Sequence, residues 1–368
     1  MAIRPTHRSR ETASAWPEAL AALLATDLKD LIAGIISRPY RARSAPADPM
    51  VAVADQVPPA ALKAEIEGLP AHQRLVNNGC FHVYWARAGQ TPSVLQEIGR
   101  LRELTFRAVG EGSGRSADID AFDSYYLHMF VWDADADMIV GAYRLGLVDE
   151  ILATYGKRGL YTHSLFKYGT RMMATLNPAI ELGRSFVRAE YQRSFAPMML
   201  LWCGIGRFVE RSPQYAVLFG PVSISNSYSS VSRRLIVKFL STHTTETHLI
   251  NHVKPRRPFR DHPGRFASDE EALCPGTLDE LSRMIAEIEP DHKGVPVLLR
   301  QYLRLGGRLL GFSVDPAFGN VLDGLIMVDI RQIEPALLTR YMGRSGTMAF
   351  RAYHALDSAR HAISLVDR

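Results

Sequence analysis

Apolar residues recur at intervals of three and four over 17–36, with Leu20, Leu23, Leu24, Leu28, Leu31, Ile32, Ile35 and Ile36 on one stripe, the spacing of an amphipathic helix. A stretch rich in Ala, Pro, Ser and Asp follows over 41–59 and has a linker's composition. A short helix is expected over 60–69. From Asn77 the pattern changes. Residues 80–86 read as a strand, and 93–106 carry Val94, Leu95, Ile98, Leu101 and Leu104 at helical spacing with Ser93 as the cap. After the loop Gly110-Glu111-Gly112-Ser113-Gly114, strands over 126–132 and 138–147 are joined by an aspartate-rich hairpin loop.

Irregular or helical segments lead to Pro178. Then come a strand over 180–187, a helix over 197–211, a strand over 216–225 and a helix over 229–241. A helix over 278–288, a block over 294–330 with an apolar strand at 323–328, and a short helix over 335–341 complete the chain. Alternating strands and helices predict an α/β protein with a mixed sheet. The boundaries read as an N-terminal helical arm and linker over 1–76, a body over 77–330 and a C-terminal helical tail over 331–368.

Composition narrows the class. The chain has 368 residues, 47% hydrophobic and 22% charged, the balance of a globular protein long enough for one large domain or two moderate ones. No apolar run reaches the roughly 18 residues of a spanning helix, and the basic N-terminus lacks the uninterrupted apolar region of a signal peptide. Three cysteines, Cys80, Cys203 and Cys274, fit a reducing compartment, so the expected location is cytoplasmic. A net charge of +5, gathered at Arg4–Arg10, Arg38–Arg43 and Lys254–Arg260, favours acidic partners. The 17–36 helix either packs on the body or lies peripherally on the inner face of a membrane. Its Asp27, Lys29 and Asp30 favour packing, because lipid attracts a Lys/Arg-rich face.

The chemistry concentrates in Ile180-Glu181-Leu182-Gly183-Arg184-Ser185-Phe186-Val187. In a regular strand Glu181 and Ser185 share one face while Leu182 and Arg184 share the other. Ionised side chains in such a segment are either put to use or paired with buried neighbours; this window alone leaves both open. No metal site is expected: the aspartates of 133–137 lack the glycine and distal glutamate of a calcium loop, and His243, His248 and His252 lack the Glu of a zinc motif. No G-x-S-x-G occurs, and no nucleic-acid-binding motif is present.

Arg102 and Phe106 stand one helical turn apart, Asp120 and Asp123 three residues apart, Arg144 ends the second hairpin strand, and Glu181 with Arg184 closes the set. This order resembles the acyl-homoserine-lactone synthases and the related N-acyltransferases of ornithine-lipid synthesis, often labelled hemolysin-like, both variants of the GNAT acyltransferase fold. The resemblance covers residues 80–330. The stretch from Gly294 to Gly307, with Val314-Asp315-Pro316-Ala317-Phe318-Gly319 and the 323–328 strand, is similar to the C-terminal part of the lipid-synthesis branch.

The resemblance implies a GNAT-like mixed sheet flanked by helices, with an N-terminal arm and a C-terminal extension. It implies transfer of a fatty acyl group, 3-hydroxylated or not, from acyl carrier protein to the amine of an amino acid or amino lipid. The alternatives are acyl-homoserine-lactone synthesis and a membrane-active protein without catalysis. The resemblance further implies no permanently bound cofactor, with the acyl-phosphopantetheine of the carrier protein as the expected donor. Glu190-Tyr191-Gln192-Arg193-Ser194-Phe195-Ala196-Pro197 contains no glycine, which favours the carrier protein over coenzyme A. An ammonium must lose a proton before attacking a thioester, and Glu181 is the expected base. Arg184 is expected to hold the acceptor carboxylate or order Asp120 and Asp123. Arg102, Phe106, Asp120, Asp123 and Arg144 are expected around the substrate. Phe186, Val187 and Arg188 are expected at the donor, with backbone N–H groups there meeting the oxyanion.

Overall fold

The computed structural model describes residues 50–194, 196–260 and 275–366, with side chains described to residue 356. The helix expected over 17–36, the basic runs at Arg4–Arg10 and Arg38–Arg43, and Cys274 lie outside the described residues.

Strands β1 (Arg74–Asn78), β2 (Phe81–Arg87), β3 (Leu127–Asp133) and β4 (Met138–Leu147) form an antiparallel run. Two short strands, β5 (Phe166–Tyr168) and β8 (Val253–Pro255), pair apart from the main sheet. The main sheet continues with β6 (Ile180–Val187), β7 (Val217–Ile224), β9 (Arg308–Asp315) and β10 (Val321–Asp329). Its eight strands run in the order β1-β2-β3-β4-β6-β7-β10-β9. Among these eight strands only β6 and β7 pair in parallel.

Both faces of this sheet are covered, which explains why β3 is buried at every position rather than alternating with solvent. Phe130 and Trp132 meet Val94, Ile98 and Leu101 of the Pro92–Ala108 helix. Met129 and Val131 belong to the opposite layer with Leu201, Trp202 and Ile205 of the Ala196–Arg211 helix. Full burial of one such side chain contributes about 1.5–3 kcal/mol, so the two layers together clamp the sheet. The Pro59–Glu67 helix adds Leu62 and Ile66 to the first layer.

Three local expectations need correction. The Pro92–Ala108 helix begins after Thr91, and Glu65, rather than the Ser93 hydroxyl, caps it, accepting the backbone N–H of Ser93 at 2.8 Å and of Val94 at 2.9 Å. A carboxylate there also complements the positive end of the helix dipole. Strands β1 and β9 leave no clear periodicity in the sequence, the first because it is short and polar, the second because Gly311 breaks its alternation at a register shift. The last helix runs from Pro335 to Val366, passing a break at Gly343 (φ 74°, ψ 170°) that reads in sequence as a stop.

Candidate active site

β6 and β7 pair only at Ile180↔Leu218 and Glu181↔Phe219, and beyond these residues they separate. Gly220 permits the close approach that precedes the split, since a Cβ there would overlap the carbonyl oxygen of Leu182. Pro221 follows. It has no N–H to offer a ladder, which suits a strand losing its neighbour on one side.

On its other edge β6 stays paired with β4 but carries a bulge. Ala142 faces Phe186 and Arg144 faces Gly183, so Arg184 and Ser185 together oppose Tyr143. Arg184 takes φ 51°, a conformation uncommon for a residue with a Cβ. The bulge cancels the expected separation of Glu181 from Arg184 onto opposite faces. Both now reach Tyr161: its backbone N–H donates to Glu181 Oε2 at 3.1 Å, and Arg184 Nη1 donates to its hydroxyl at 3.2 Å.

Charges of alternating sign lie behind the bulge. Arg102 Nη1 bonds Asp123 Oδ1 at 2.8 Å; Arg144 Nη1 bonds Asp120 Oδ1 at 2.7 Å and Asp123 Oδ1 at 3.2 Å. Arg184 then pairs with Asp120 at 3.4 Å and with Asp118 at 3.0 Å. The Asp120 side chain accepts the N–H of Phe122, while Asp123 accepts the N–H of Asp120, so the turn carrying both aspartates is tied back on itself. Arg102 and Arg144 hold Asp123 well below the usual carboxylate range despite its burial. Burial and the nearby Arg102 guanidinium push His128 down to about 4, leaving it neutral.

Two cavities open where β6 and β7 part. The smaller, about 160 Å³, has Tyr161, Arg184, Asp315, Phe318 and Asp323 in its wall. Among the described residues Arg184 is the only cationic one lining it, against the carboxyl groups of Glu111, Asp315 and Asp323. The larger, about 620 Å³, is apolar along Leu101, Leu104, Ala108 and Val109 and polar at Arg100, Arg188 and Gln192. Phe106, Glu111 and Ser185 line both.

Hydrogen bonds order the smaller cavity. The Tyr161 hydroxyl donates to Asp315 Oδ2 at 2.8 Å, and Asp315 Oδ1 accepts from the N–H of Ala317 at 2.8 Å. Arg184 lies 4.7 Å from the Tyr161 ring centroid and 3.9 Å from that of Phe318, a cation held between two aromatic faces. Asp323 accepts from the Ser223 hydroxyl at 2.7 Å, and burial pushes its carboxyl up to about 8. Burial raises Glu111 to about 7, against a smaller lowering by the Ser225 hydroxyl.

These placements redraw the expected site. Arg184 and Phe106 line the smaller cavity, and Arg188 the larger. Arg102, Asp123 and Arg144 are about 1% exposed or less, pair through the Nη1 atom of each arginine, and line neither cavity. Asp120 caps its turn and joins that network. Phe186 and Val187 are core residues. The Arg188 N–H donates to Val140 O at 2.9 Å and is not free for an oxyanion. Glu181 lines neither cavity: Oε1 accepts the N–H of Thr162, and Oε2 accepts the N–H of Tyr161 and the Tyr126 hydroxyl. Burial raises its pKa, yet its hydrogen bonds fasten the 161–164 turn. Sequence reasoning missed Glu111, Tyr161, Asp315 and Asp323. Among the described residues, no cluster of His, Cys, Asp and Glu is arranged to hold a metal ion.

Residues 101–202 match the acetyltransferase (GNAT) domain family. The chain is 32% identical to a glycine N(alpha)-acyltransferase of Bacteroides thetaiotaomicron, over 74% of this chain and 84% of that protein. It is 30% identical to a glycine N(alpha)-acyltransferase of Phocaeicola vulgatus, over 74% and 86%. An L-ornithine N(alpha)-acyltransferase of Agrobacterium fabrum is 27% identical over 67% and 78%. Among solved structures, a CoA-dependent acyl-homoserine lactone synthase superposes with a TM-score of 0.36 at 12% identity, over 71% of this chain and 89% of that one.

Proposed function

The chain belongs to the bacterial amino-acid Nα-acyltransferases of the GNAT superfamily, and from that premise we propose that it transfers a fatty acyl group from acyl carrier protein to the α-amine of an amino acid held at the β6–β7 split. The observation that carries this reading is the pair of adjoining cavities sharing Phe106, Glu111 and Ser185. One is small and rich in carboxyl groups, as an ammonium-bearing acceptor requires. The other is larger with an apolar wall, as an acyl-pantetheine arm requires.

In this reading the acceptor amine enters the smaller cavity and its carboxylate meets Arg184, whose planar fork suits it. The thioester reaches the split from the larger cavity, past Arg188. A bulge takes a residue out of the regular ladder, so the backbone at Arg184–Ser185 is the segment able to turn an N–H toward the developing oxyanion. Carboxyl groups in excess of Arg184 favour an acceptor with a second amine, as in the ornithine enzyme; Asp323 would receive it, giving up its proton as the second ammonium binds. Glycine is the second reading, supported by the names of the relatives at 30% and 32% identity.

The test is an acyl-transfer assay with purified protein, acyl carrier protein or coenzyme A thioesters, and a panel including ornithine, lysine and glycine, read by mass spectrometry. The N-acyl amino acid should form from the carrier-protein donor, with the diamino acids ahead of glycine. Failure of every amino acid to accept, with either donor, would overturn the reading.

A further inference from the structure

We propose that Glu111 is the base that takes the proton from the acceptor ammonium. This rests on the acyltransferase reading above and gives that reaction its missing proton acceptor. Among the described residues lining the two cavities, Glu111 is the only ionisable one that borders both. A base for this reaction must stand where amine and thioester meet, and the shared wall is that place.

The backbone presents Glu111 there deliberately. It follows the Pro92–Ala108 helix, where the Gly110 N–H donates to Arg107 O at 3.0 Å and the Glu111 N–H to Phe106 O at 2.8 Å. This bond pair, with Gly110 at φ +76°, is the glycine cap that commonly ends a helix. It fixes the direction in which the glutamate leaves. The location is also a poor one for a carboxylate whose role is stability, because the negative end of the helix dipole disfavours its charge. Burial raises its pKa to about 7, the range in which a carboxylate both accepts and returns a proton near neutral pH.

The other candidates are committed elsewhere. Both oxygens of Asp315 accept hydrogen bonds, from Tyr161 and Ala317. Glu181 is spent on the 161–164 turn. Asp323 borders the smaller cavity alone. The charged groups sharing Glu111's cavities are Arg184, Asp315 and Asp323 on one side and Arg100, Arg188 and Glu190 on the other; the Ser225 hydroxyl also faces it.

The proton count closes. Glu111 removes one proton from the ammonium, and the freed nitrogen pair forms the C–N bond as the thioester π pair moves to oxygen. The oxyanion pair re-forms the carbonyl and breaks the C–S bond. Protonated Glu111 returns its proton to the leaving thiolate, and the nitrogen sheds its second proton to water, giving amide, free thiol and one released proton.

The experiment compares wild type, Glu111→Gln and Asp323→Asn, first confirmed as folded by circular dichroism, in kcat and KM across pH with acyl carrier protein thioester and the best acceptor of the panel. Glu111→Gln should lower kcat by about 10²–10⁴-fold with KM for donor and acceptor little changed. It should also erase the acidic limb near pH 7 of the wild-type profile. Glu111→Ala should regain part of its rate in added formate, which a purely structural role would not produce. Retention of the wild-type rate and limb in Glu111→Gln, or loss of the limb in Asp323→Asn alone, would overturn the assignment. Because wild-type product is measured in the same assay, failure of the acyltransferase reading shows as no N-acyl amino acid from wild type, an outcome separate from an active Glu111→Gln.

Discussion

Gly220 passes so close to the carbonyl of Leu182 that a single added methyl would overlap it. This contact is where β6 and β7 are last joined before they open around the cavities. Gly220→Ala must therefore push β7 away from β6. The expected cost is about 1–3 kcal/mol of stability, read from urea unfolding. Since a displacement of about 1 Å at reacting groups can cost about 10²-fold in rate, acyl transfer should fall further than stability does. A variant with normal turnover would show that the split tolerates a wider opening than its geometry implies.

Arg144 makes the central bonds of the buried charge network, to Asp120 and Asp123. Its removal leaves both aspartates short of a partner, with Asp123 buried and Asp120 partly so. Arg144→Ala should cost about 3–5 kcal/mol, and Arg144→Lys should recover only part of that, because an ammonium lacks the fork that spans two carboxylates. Near-wild-type unfolding midpoints for both variants would mean that the network is not what holds the 120–124 turn in place.

How far the sequence foretold this molecule depends on what each residue had to reveal. The short, largely apolar runs of β3 and β4 and the amphipathic Pro92–Ala108 helix were legible, because burial on one or both faces leaves its mark on which side chains are apolar. The group Arg102, Asp120, Asp123, Arg144 and Arg184 was legible as a set but not in role: ion pairing inside a core and ligand binding use the same residue types. The bulge at Arg184 leaves no mark in hydrophobic alternation, so the side on which that guanidinium emerges could only come from the backbone. Glu111 stood in a Gly/Ser loop that looked like a simple connection. The available signal was Gly110, since a glycine just past an amphipathic helix marks its end and makes the residue after it a fixed point. Asp323 was hidden in an apolar strand, where an acidic residue deserved a question about its partner.

Carrier proteins are acidic, and if one is the donor, as proposed above, the exposed Arg256, Arg257 and Arg260 are the basic surface expected to receive it. Arg256 is partly committed, donating to the carbonyl of His163 at 2.7 Å, so Arg257→Glu with Arg260→Glu is the cleaner test. The double variant should raise KM for acyl carrier protein severalfold and leave kcat unchanged, and added salt should raise the wild-type KM in the same direction. If neither salt nor charge reversal moves KM, the carrier docks elsewhere.

Asp323 ties stability to pH in a direction opposite to that of an ion-paired carboxylate. Burial first, and then the neighbouring Asp315 and Glu111 charges, raise its pKa to about 8, while the Ser223 hydroxyl works the other way. In the unfolded chain an aspartate titrates near about 3.9. Between those values the folded protein keeps a proton that the unfolded chain has released, so stability falls as pH rises. Below about pH 4 both states are protonated and the penalty vanishes; above about pH 8 both are ionised and the penalty is complete. Asparagine has nearly the same shape and no charge to bury. Asp323→Asn should therefore gain stability relative to wild type as pH climbs from about 4 to about 8 and hold a constant advantage beyond. Glu111, raised to about 7 by its own burial, acts in the same sense, but it is present in both proteins and largely cancels in the difference. Urea unfolding of the pair across that range checks the slope. A stability difference independent of pH would mean that Asp323 stays ionised in the folded state, with its charge met by Arg184 across the cavity.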